Sequence, residues 1–383
     1  MTEPLAPFKE VADIIKEEGG EAFKLCYQCG ICTATCPWHM VRSFPPRKMI
    51  HQAQLGLSEF ESEDMWQCLT CGACVERCPR GVAIIDIMRA LRRSIASLGV
   101  AEVPEALRMT LKNISGTGNP LGEPAEKRPQ WAARLGVKTY TPETEVLYFS
   151  CCIPAYDPKV QRAAIATATI MQKAGVDFGI LDGSENCCGE SVRKAGDESL
   201  FSRLAHNNIS AFKGGKVKKI MVTSPHCYHS FKNEYPELEG KFEVVHFSQF
   251  LLELIKEGRI KPVKEINKKV TYHDPCYLGR HNKVYDAPRE VLKSIPGLEL
   301  VEMPFAKEDS LCCGGGGGRI WMETKKGERF ADFRIEQALE VGAEVMAVAC
   351  PYCMSNFDDS VLTTGKEESI SIREIAELVA DSL

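Results

Sequence analysis

A chain of 383 residues is too long to be a disulfide-stapled mini-protein and can bury ordinary hydrophobic cores in two or three structural units. With 44% hydrophobic and 26% charged residues it reads as a soluble globular protein, and a net charge of -5 gives no reason to expect nucleic acid or an anionic membrane as partner. No apolar run approaches the roughly 18 residues of a membrane span, and Met1 to Glu18 lack the apolar stretch of a signal peptide, so the expected location is cytoplasmic, with any membrane association supplied by partners.

Residues 8–18 carry Phe8, Val11, Ala12 and Ile15 on one helical face and stop at Gly19-Gly20. The motif C-x2-C-x2-C-x3-C-P follows as Cys26, Cys29, Cys32, Cys36 and Pro37, and it recurs as Cys68, Cys71, Cys74, Cys78 and Pro79. Between the runs, Lys48–Leu55 predicts a helix. After them Ile84, Ile87, Met88, Leu91 and Ile95 predict another over 83–97. Residues 98–144, rich in glycine and proline, read as a connector in which Trp131 and Leu135 can pack.

From Glu145 the pattern alternates strand and helix, which argues for α/β units. Expected strands are 146–150, 178–181, 219–223, 244–247, 270–273, 299–303 and 345–349. Helices are expected at 160–174 and 201–212. This half repeats itself: VLYFSCC at 146–152 recurs as VTYHDPC at 270–276, and ENCCGE at 185–190 as SLCCGG at 310–315. KKIMVTSPHC at 218–227 recurs as AEVMAVACPYC at 343–353, and SQFLLELI at 248–255 echoes SIREIAELV at 371–379. A duplicated α/β unit with pseudo-two-fold symmetry follows. The expected division is 1–97, an α-helical ferredoxin domain; 98–144, a connector; 145–260, a degenerate first repeat; and 261–383, a complete second repeat.

Eighteen cysteines in regular spacings and a cytosolic context point to metal rather than disulfides. Thiolates suit iron–sulfur clusters or zinc. Structural zinc takes isolated four-ligand sets, whereas the run ending in Cys-Pro matches the bacterial ferredoxin run, whose fourth cysteine ligates the other cluster. By that exchange, Cys26, Cys29, Cys32 and Cys78 hold one cubane [4Fe–4S] cluster, and Cys68, Cys71, Cys74 and Cys36 the other. Gly30 and Gly72 let the loop backbone approach the clusters. The helical surroundings resemble the all-α ferredoxin domain of succinate dehydrogenase iron–sulfur subunits and of the heterodisulfide reductase C subunit.

In the second repeat, Cys276 is followed after 35 residues by Cys312-Cys313 and after 36 more by Cys350 and Cys353. Five thiols exceed what a cubane uses, and adjacent cysteines suit a more open cluster. This order resembles the cysteine-rich CCG domain of heterodisulfide reductase B and D subunits. The resemblance covers nearly the whole chain, in the D-type arrangement of a C-like ferredoxin domain fused to B-like CCG repeats. It implies a noncubane [4Fe–4S] cluster on Cys276, Cys312, Cys313, Cys350 and Cys353 that reduces a disulfide.

Gly314, Gly315 and Gly316, in a run of five glycines, are expected to bare their backbone to that cluster and its substrate. His273 and His281 flank Cys276 and are candidate proton donors, with a structural role as the alternative. His226 and His229 also adjoin cluster cysteines.

The first repeat keeps Cys152, Cys187, Cys188 and Cys227, but Ser224 stands where the second has Cys350, and Cys151 is an extra thiol. Three outcomes stand open: a cubane on four cysteines, a modified noncubane cluster using Ser224 or Cys151, or no cluster and buried thiols. No dinucleotide fingerprint or Walker A sequence occurs, so no nucleotide is expected. Electrons would then arrive from a flavin-containing partner within a hetero-oligomeric complex.

Three functions compete. One is an oxidoreductase subunit of an anaerobic complex, in which electrons pass from the cubanes to the CCG clusters. Another is a pure relay between a flavin subunit and another catalytic subunit or quinone pathway, as in complexes of glycolate oxidase, glycerol-3-phosphate dehydrogenase or benzoyl-CoA reductase. The third is a zinc-stabilised scaffold.

Overall fold

The computed structural model describes residues 7–57, 63–99 and 102–383. The first six residues of the stretch read for a signal peptide, and residues 100–101 of the connector, lie outside them. The chain forms two compact units: Met1–Met109 with Ser191–Phe201 and Gly314–Arg329, and Thr110–Glu190 with Ser202–Cys313 and Phe330–Leu383.

The first unit is helical. Helix α1 (Lys9–Ile15) ends in a wider turn, Lys16–Gly20, where Gly19 takes φ of 92°. Helices α2 (Ile31–Thr35) and α4 (Ala73–Glu76) each start directly after a left-handed glycine, Gly30 and Gly72. Helix α3 (Pro46–Leu55) lies between them in sequence, and α5 (Ile84–Leu98) follows. The apolar register read in the sequence is the face that α5 buries: Ile84, Ile87, Met88, Leu91 and Ile95.

The same face of α5 carries Arg92, which is fully buried. Its guanidinium donates to the carbonyls of Met65 (3.0 Å), Cys68 (3.0 Å), Lys194 (2.8 Å) and Gly317 (3.0 Å). One fork of donors thus ties the second cysteine run to two segments that arrive from far along the chain. Gly316 and Gly317 make this possible: a Cβ on them would collide with the carbonyl oxygens of Leu69 and Cys68 respectively. Trp66 packs its ring 5.1 Å from the same guanidinium.

The second unit holds two four-stranded sheets, both wholly parallel. Strands β1 (Val146–Phe149), β2 (Phe178–Gly179), β3 (Lys219–Val222) and β4 (Glu243–His246) order as β2-β1-β3-β4. Strands β5 (Lys269–Tyr272), β6 (Glu299–Val301), β7 (Val345–Val348) and β8 (Ser371–Glu374) order as β6-β5-β7-β8. The duplicated α/β architecture expected from the repeat is therefore present, with one topology used twice.

Central strands β1 and β7 are buried throughout, which explains why they read as continuous apolar runs. The edge strand β8, SIRE, is half exposed and polar, and the sequence pattern did not reveal it. Its register also corrects the last repeat pairing. Glu243 corresponds to Ser371 and Phe247 to Ile375, because β4 leads into helix Phe247–Lys256 as β8 leads into helix Ile375–Ser382. The segment SIREIAELV is thus half strand, and its echo of SQFLLELI is not a structural equivalence.

Residues 98–144 contain helix Glu105–Thr117, a single turn at Ala125–Lys127 and helix Gln130–Ala133. Trp131 is buried and meets Tyr148 of β1 edge-on at 5.6 Å. Leu135 is half-buried.

Replacing Arg92 by Met leaves four carbonyls short of charged donors. It should destabilise the first unit by about 3 kcal/mol, by the usual worth of hydrogen bonds to a charged group. Chemical denaturation of the holoprotein, followed by helix circular dichroism, checks this; an unchanged midpoint would remove Arg92 from its central place.

Candidate metal centres

In the first unit the two cysteine runs repeat one backbone conformation. Positive φ occurs at Gln28 and Thr70, and again at Gly30 and Gly72. Each run therefore curls around a point, with Cys32 and Cys74 on the opening turns of α2 and α4. Backbone N–H groups turn inward to sulfur: Gln28 to Cys26 Sγ and Val82 to Cys78 Sγ, both at 3.4 Å.

One cavity is lined by Cys36, Cys68, Cys71 and Cys74, with Pro37, Ile84 and Met88 among its apolar walls. Tyr27 neighbours both Cys29 and Cys78. The fourth cysteine of each run thus lies beside the other run. Burial pushes the Cys36 and Cys74 thiols up, and the neighbouring thiols Cys71 and Cys68 add to it. So many sulfurs in an apolar site lose their protons only beside a compensating positive charge, which fits a soft metal cluster.

In the second unit the topology sets the positions. β1 lies beside β3, and β5 beside β7, each pair at the point where the sheet order reverses. Loops leaving the carboxyl ends of such strands diverge and leave a crevice. Cys151 and Cys152 follow β1, Ser224 and Cys227 follow β3, Cys276 follows β5, and Cys350 and Cys353 follow β7. Both crevices therefore receive their thiols from the same structural positions.

In the second repeat Cys313 and Cys353 place their sulfurs 3.3 Å apart. His273, Cys313 and Cys353 bring their ligand atoms within 4.8 Å of one another, all buried. Contact with Cys312 and then Cys353 holds the Cys313 thiol well below its usual range, while burial pushes Cys353 well up. Burial opposes ionisation of Cys350, but Cys353 and His226 outweigh it and bring Cys350 to about 6. Cys276 is buried on the loop after β5, where its carbonyl accepts from His281 N–H at 3.1 Å.

His273 is fully buried, which keeps its ring neutral and its basicity low despite Cys313. Arg334 Nε donates to His273 Nδ1 at 3.4 Å, so the ring proton of the neutral form sits on Nε2. His281 is half-buried and stacks on Tyr277 at 4.2 Å, with His229 at 5.1 Å.

A contact that the sequence pattern did not reveal crosses the repeats. His226, beside Cys227 of the first repeat, reaches Cys350 of the second. It lies 4.2 Å from the Tyr277 ring and 4.5 Å from the Tyr352 ring, and its Nδ1 pairs with Glu190 at 3.2 Å. Burial works against charge on His226, but Glu190 and Cys350 prevail and push it up to about 10. The available signal was positional: His226 occupies in Ser-Pro-His-Cys the place of Tyr352 in Cys-Pro-Tyr-Cys.

Gly314, Gly315 and Gly316 were expected at this centre. At Gly316 the structure shows a further demand for glycine, since a Cβ there would collide with Leu69 O. That demand is steric, at the second ferredoxin run.

In the first repeat five thiols form an unbroken series. Cys152 lies against Cys187, Cys187 against Cys188, Cys188 against Cys227, and Cys227 against Cys151. All five are buried. Cys188 is brought down to about 6 by Cys187 and Cys227. Arg128, from the segment read as connector, donates to Cys152 Sγ at 3.5 Å and forms a buried ion pair with Glu185. Cys151 adopts φ of 69° and ψ of 160°, a conformation proper to glycine. Holding a cysteine there costs about 1–3 kcal/mol. Ser224 caps nothing, and its hydroxyl is buried without a hydrogen-bond partner.

Known protein families match both cysteine-bearing regions. The family model of the 4Fe-4S dicluster domain matches residues 25–83, and that of the cysteine-rich CCG domain matches 146–232 and 270–358. The D-type polypeptide of dihydromethanophenazine:CoB–CoM heterodisulfide reductase from Methanosarcina barkeri is 31% identical, over 94% of this chain and 93% of that protein. The probable iron-sulfur-binding oxidoreductase FadF of Bacillus subtilis is 38% identical, over 84% of this chain and 47% of that protein. The EtfAB:quinone oxidoreductase of Syntrophomonas wolfei is 37% identical, over 83% and 46%. The chain spans about half the length of these last two relatives. A solved Helicobacter pylori structure, described as a hypothetical protein, shares the fold with a TM-score of 0.54 at 9% identity, over 98% of this chain and 72% of that one.

A 4Fe-4S dicluster domain followed by two CCG domains is the domain set of an iron–sulfur oxidoreductase family. The chain belongs to the heterodisulfide reductase D-type family of iron–sulfur oxidoreductases.

The crossing of the runs predicts paired phenotypes. Cys36→Ala should remove the same low-temperature paramagnetic signal as Cys74→Ala, and Cys78→Ala the same signal as Cys32→Ala. If Cys36→Ala instead matched Cys32→Ala, each run would keep its own fourth ligand.

Proposed function

We propose that the chain is the disulfide-reducing iron–sulfur subunit of a hetero-oligomeric complex, fed by a flavin-containing donor. Cys26, Cys29, Cys32 and Cys78 would hold one cubane cluster, and Cys68, Cys71, Cys74 and Cys36 another. Cys276, Cys312, Cys313, Cys350 and Cys353 would hold a noncubane cluster, and the first repeat a further cluster. When bound, such clusters supply single electrons at potentials set by their surroundings.

The observation that carries this reading is the second crevice. Its cysteines gather on the loops that leave β5, β6 and β7, with His273 and His226 beside them. Reducing a disulfide takes two electrons and two protons and leaves two thiols. His226 pairs through Nδ1 with Glu190 at 3.2 Å and reaches Cys350, where it would hold a proton for the site. His273, neutral, keeps its proton on Nε2 and orients it through Arg334. His281 stands outside that pair, on the Tyr277 face.

A second reading has support in the relatives named for EtfAB and quinone: a relay that passes electrons onward and reduces no disulfide itself. Among the described residues no helix is long and apolar enough to cross a membrane, so the route to a quinone would run through a partner or a further segment.

Paramagnetic resonance of anaerobically prepared protein during titration with mixed thiol disulfides separates the readings. Disulfide chemistry predicts a new paramagnetic state that disappears in Cys312→Ala and Cys313→Ala. Silence across a panel of disulfides, with reoxidation by quinone in the complete complex, would instead establish the relay. Stoichiometric zinc without iron would end both.

A further inference from the structure

The cysteine sets of the two repeats differ at two corresponding places, and the differences are reciprocal. After the third strand, the second repeat has Cys350 and the first has Ser224. After the first strand, the first repeat has Cys151 and the second has Pro275, since Cys152 corresponds to Cys276. Each repeat therefore carries five candidate thiols, with one of them moved between neighbouring strand ends. β1 and β3 are hydrogen-bonded side by side, so both places open on the same crevice.

We propose that Cys151 supplies the thiolate missing at Ser224, so that the first repeat holds its cluster with Cys151, Cys152, Cys187, Cys188 and Cys227. This rests on the reading above that the first repeat carries a cluster. Three independent observations support it. Cys151 is buried and lies against Cys227, the thiol that follows Ser224 on the β3 side. It keeps a φ of 69° that glycine would adopt freely, so the side chain is retained against backbone strain. A buried thiol needed only as a small hydrophobe could be replaced there by a glycine without strain. Such strain concentrates where a site requires it. Finally, Ser224 Oγ is buried with no hydrogen-bond partner, so this strand end offers the crevice no thiol and its hydroxyl no structural bond. Proline at 275 could not take the same backbone, because its ring holds φ near -65°. The exchange is thus built into the backbone as well as the side chains.

The test uses the full chain, reconstituted anaerobically with iron and sulfide. Iron is counted, and the Mössbauer spectrum and paramagnetic signals are recorded for the parent, Cys151→Gly, Cys151→Ser, Ser224→Ala and Cys187→Ser. With four four-iron clusters the parent carries about 16 irons. Cys151→Gly relieves the strain, so the apoprotein should be at least as stable as the parent. The holoprotein should nevertheless lose about four irons, or the first-repeat subspectrum should change to that of an ordinary cubane. Cys151→Ser should lose the same signature, and Ser224→Ala should leave it intact.

Parent-like spectra in both Cys151 variants, with loss in Cys187→Ser, would overturn the role of Cys151 while leaving the first-repeat cluster standing. A change in Ser224→Ala would also overturn it, by placing the serine oxygen on the metal. If Cys187→Ser too kept every iron of the parent, the first repeat would hold no cluster and both readings would fall.

Discussion

Thiolate charge in apolar surroundings is the constraint on which the rest depends. In both units cysteine sulfurs are buried within reach of one another, and burial alone pushes many of them up. A thiolate crowd of this kind is stable only around positive charge. Burial thus favours the neutral thiols, and their ionisation calls for the positive charge that a metal cluster brings. Arg128 at Cys152 and His226 at Cys350 bring cationic groups to two of these thiols, and the neutral ring of His273 lies beside Cys313.

The backbone solves the packing of these sulfurs twice, by different means. In the first unit, left-handed residues curl two short loops, and Arg92 fixes one of them through carbonyls that would otherwise compete for the interior. In the second unit, parallel strands whose order reverses leave a crevice at their carboxyl ends, and cysteines on the outgoing loops fill it. The duplication makes two such crevices, and His226 shows that they are not independent. A residue of one repeat sits between two tyrosines of the other and touches its cysteine. The first repeat, with Ser224 where the second has Cys350, thus brings its own histidine beside that cysteine.

Much of the fold was legible because its carriers are local. Helix α5 was visible in the spacing of Ile84, Ile87, Met88, Leu91 and Ile95, since one face meets a core. Strands β1 and β7 were visible as apolar runs, since parallel central strands are covered on both sides. Edge strand β8 was not, since half of its residues face solvent and carry polar side chains. Part of the glycine run answers to packing that the sequence pattern did not show: Gly316 and Gly317 lie against the carbonyls of Leu69 and Cys68.

The sequence by itself determined the metal chemistry. Cysteine spacing is a local, covalent quantity, and it specifies how many sulfurs can reach one point from one loop. It also determined the duplication, since a repeated segment folds to a repeated unit. Tertiary structure alone decided which thiols meet. Cys36 faces the second run, Cys151 joins the first repeat's series, and His226 meets the other repeat's cysteine. These pairings join residues from 32 to 124 positions apart or depend on a single backbone dihedral. Neither kind of information is carried by composition or periodicity, because each is set by the packing of whole elements.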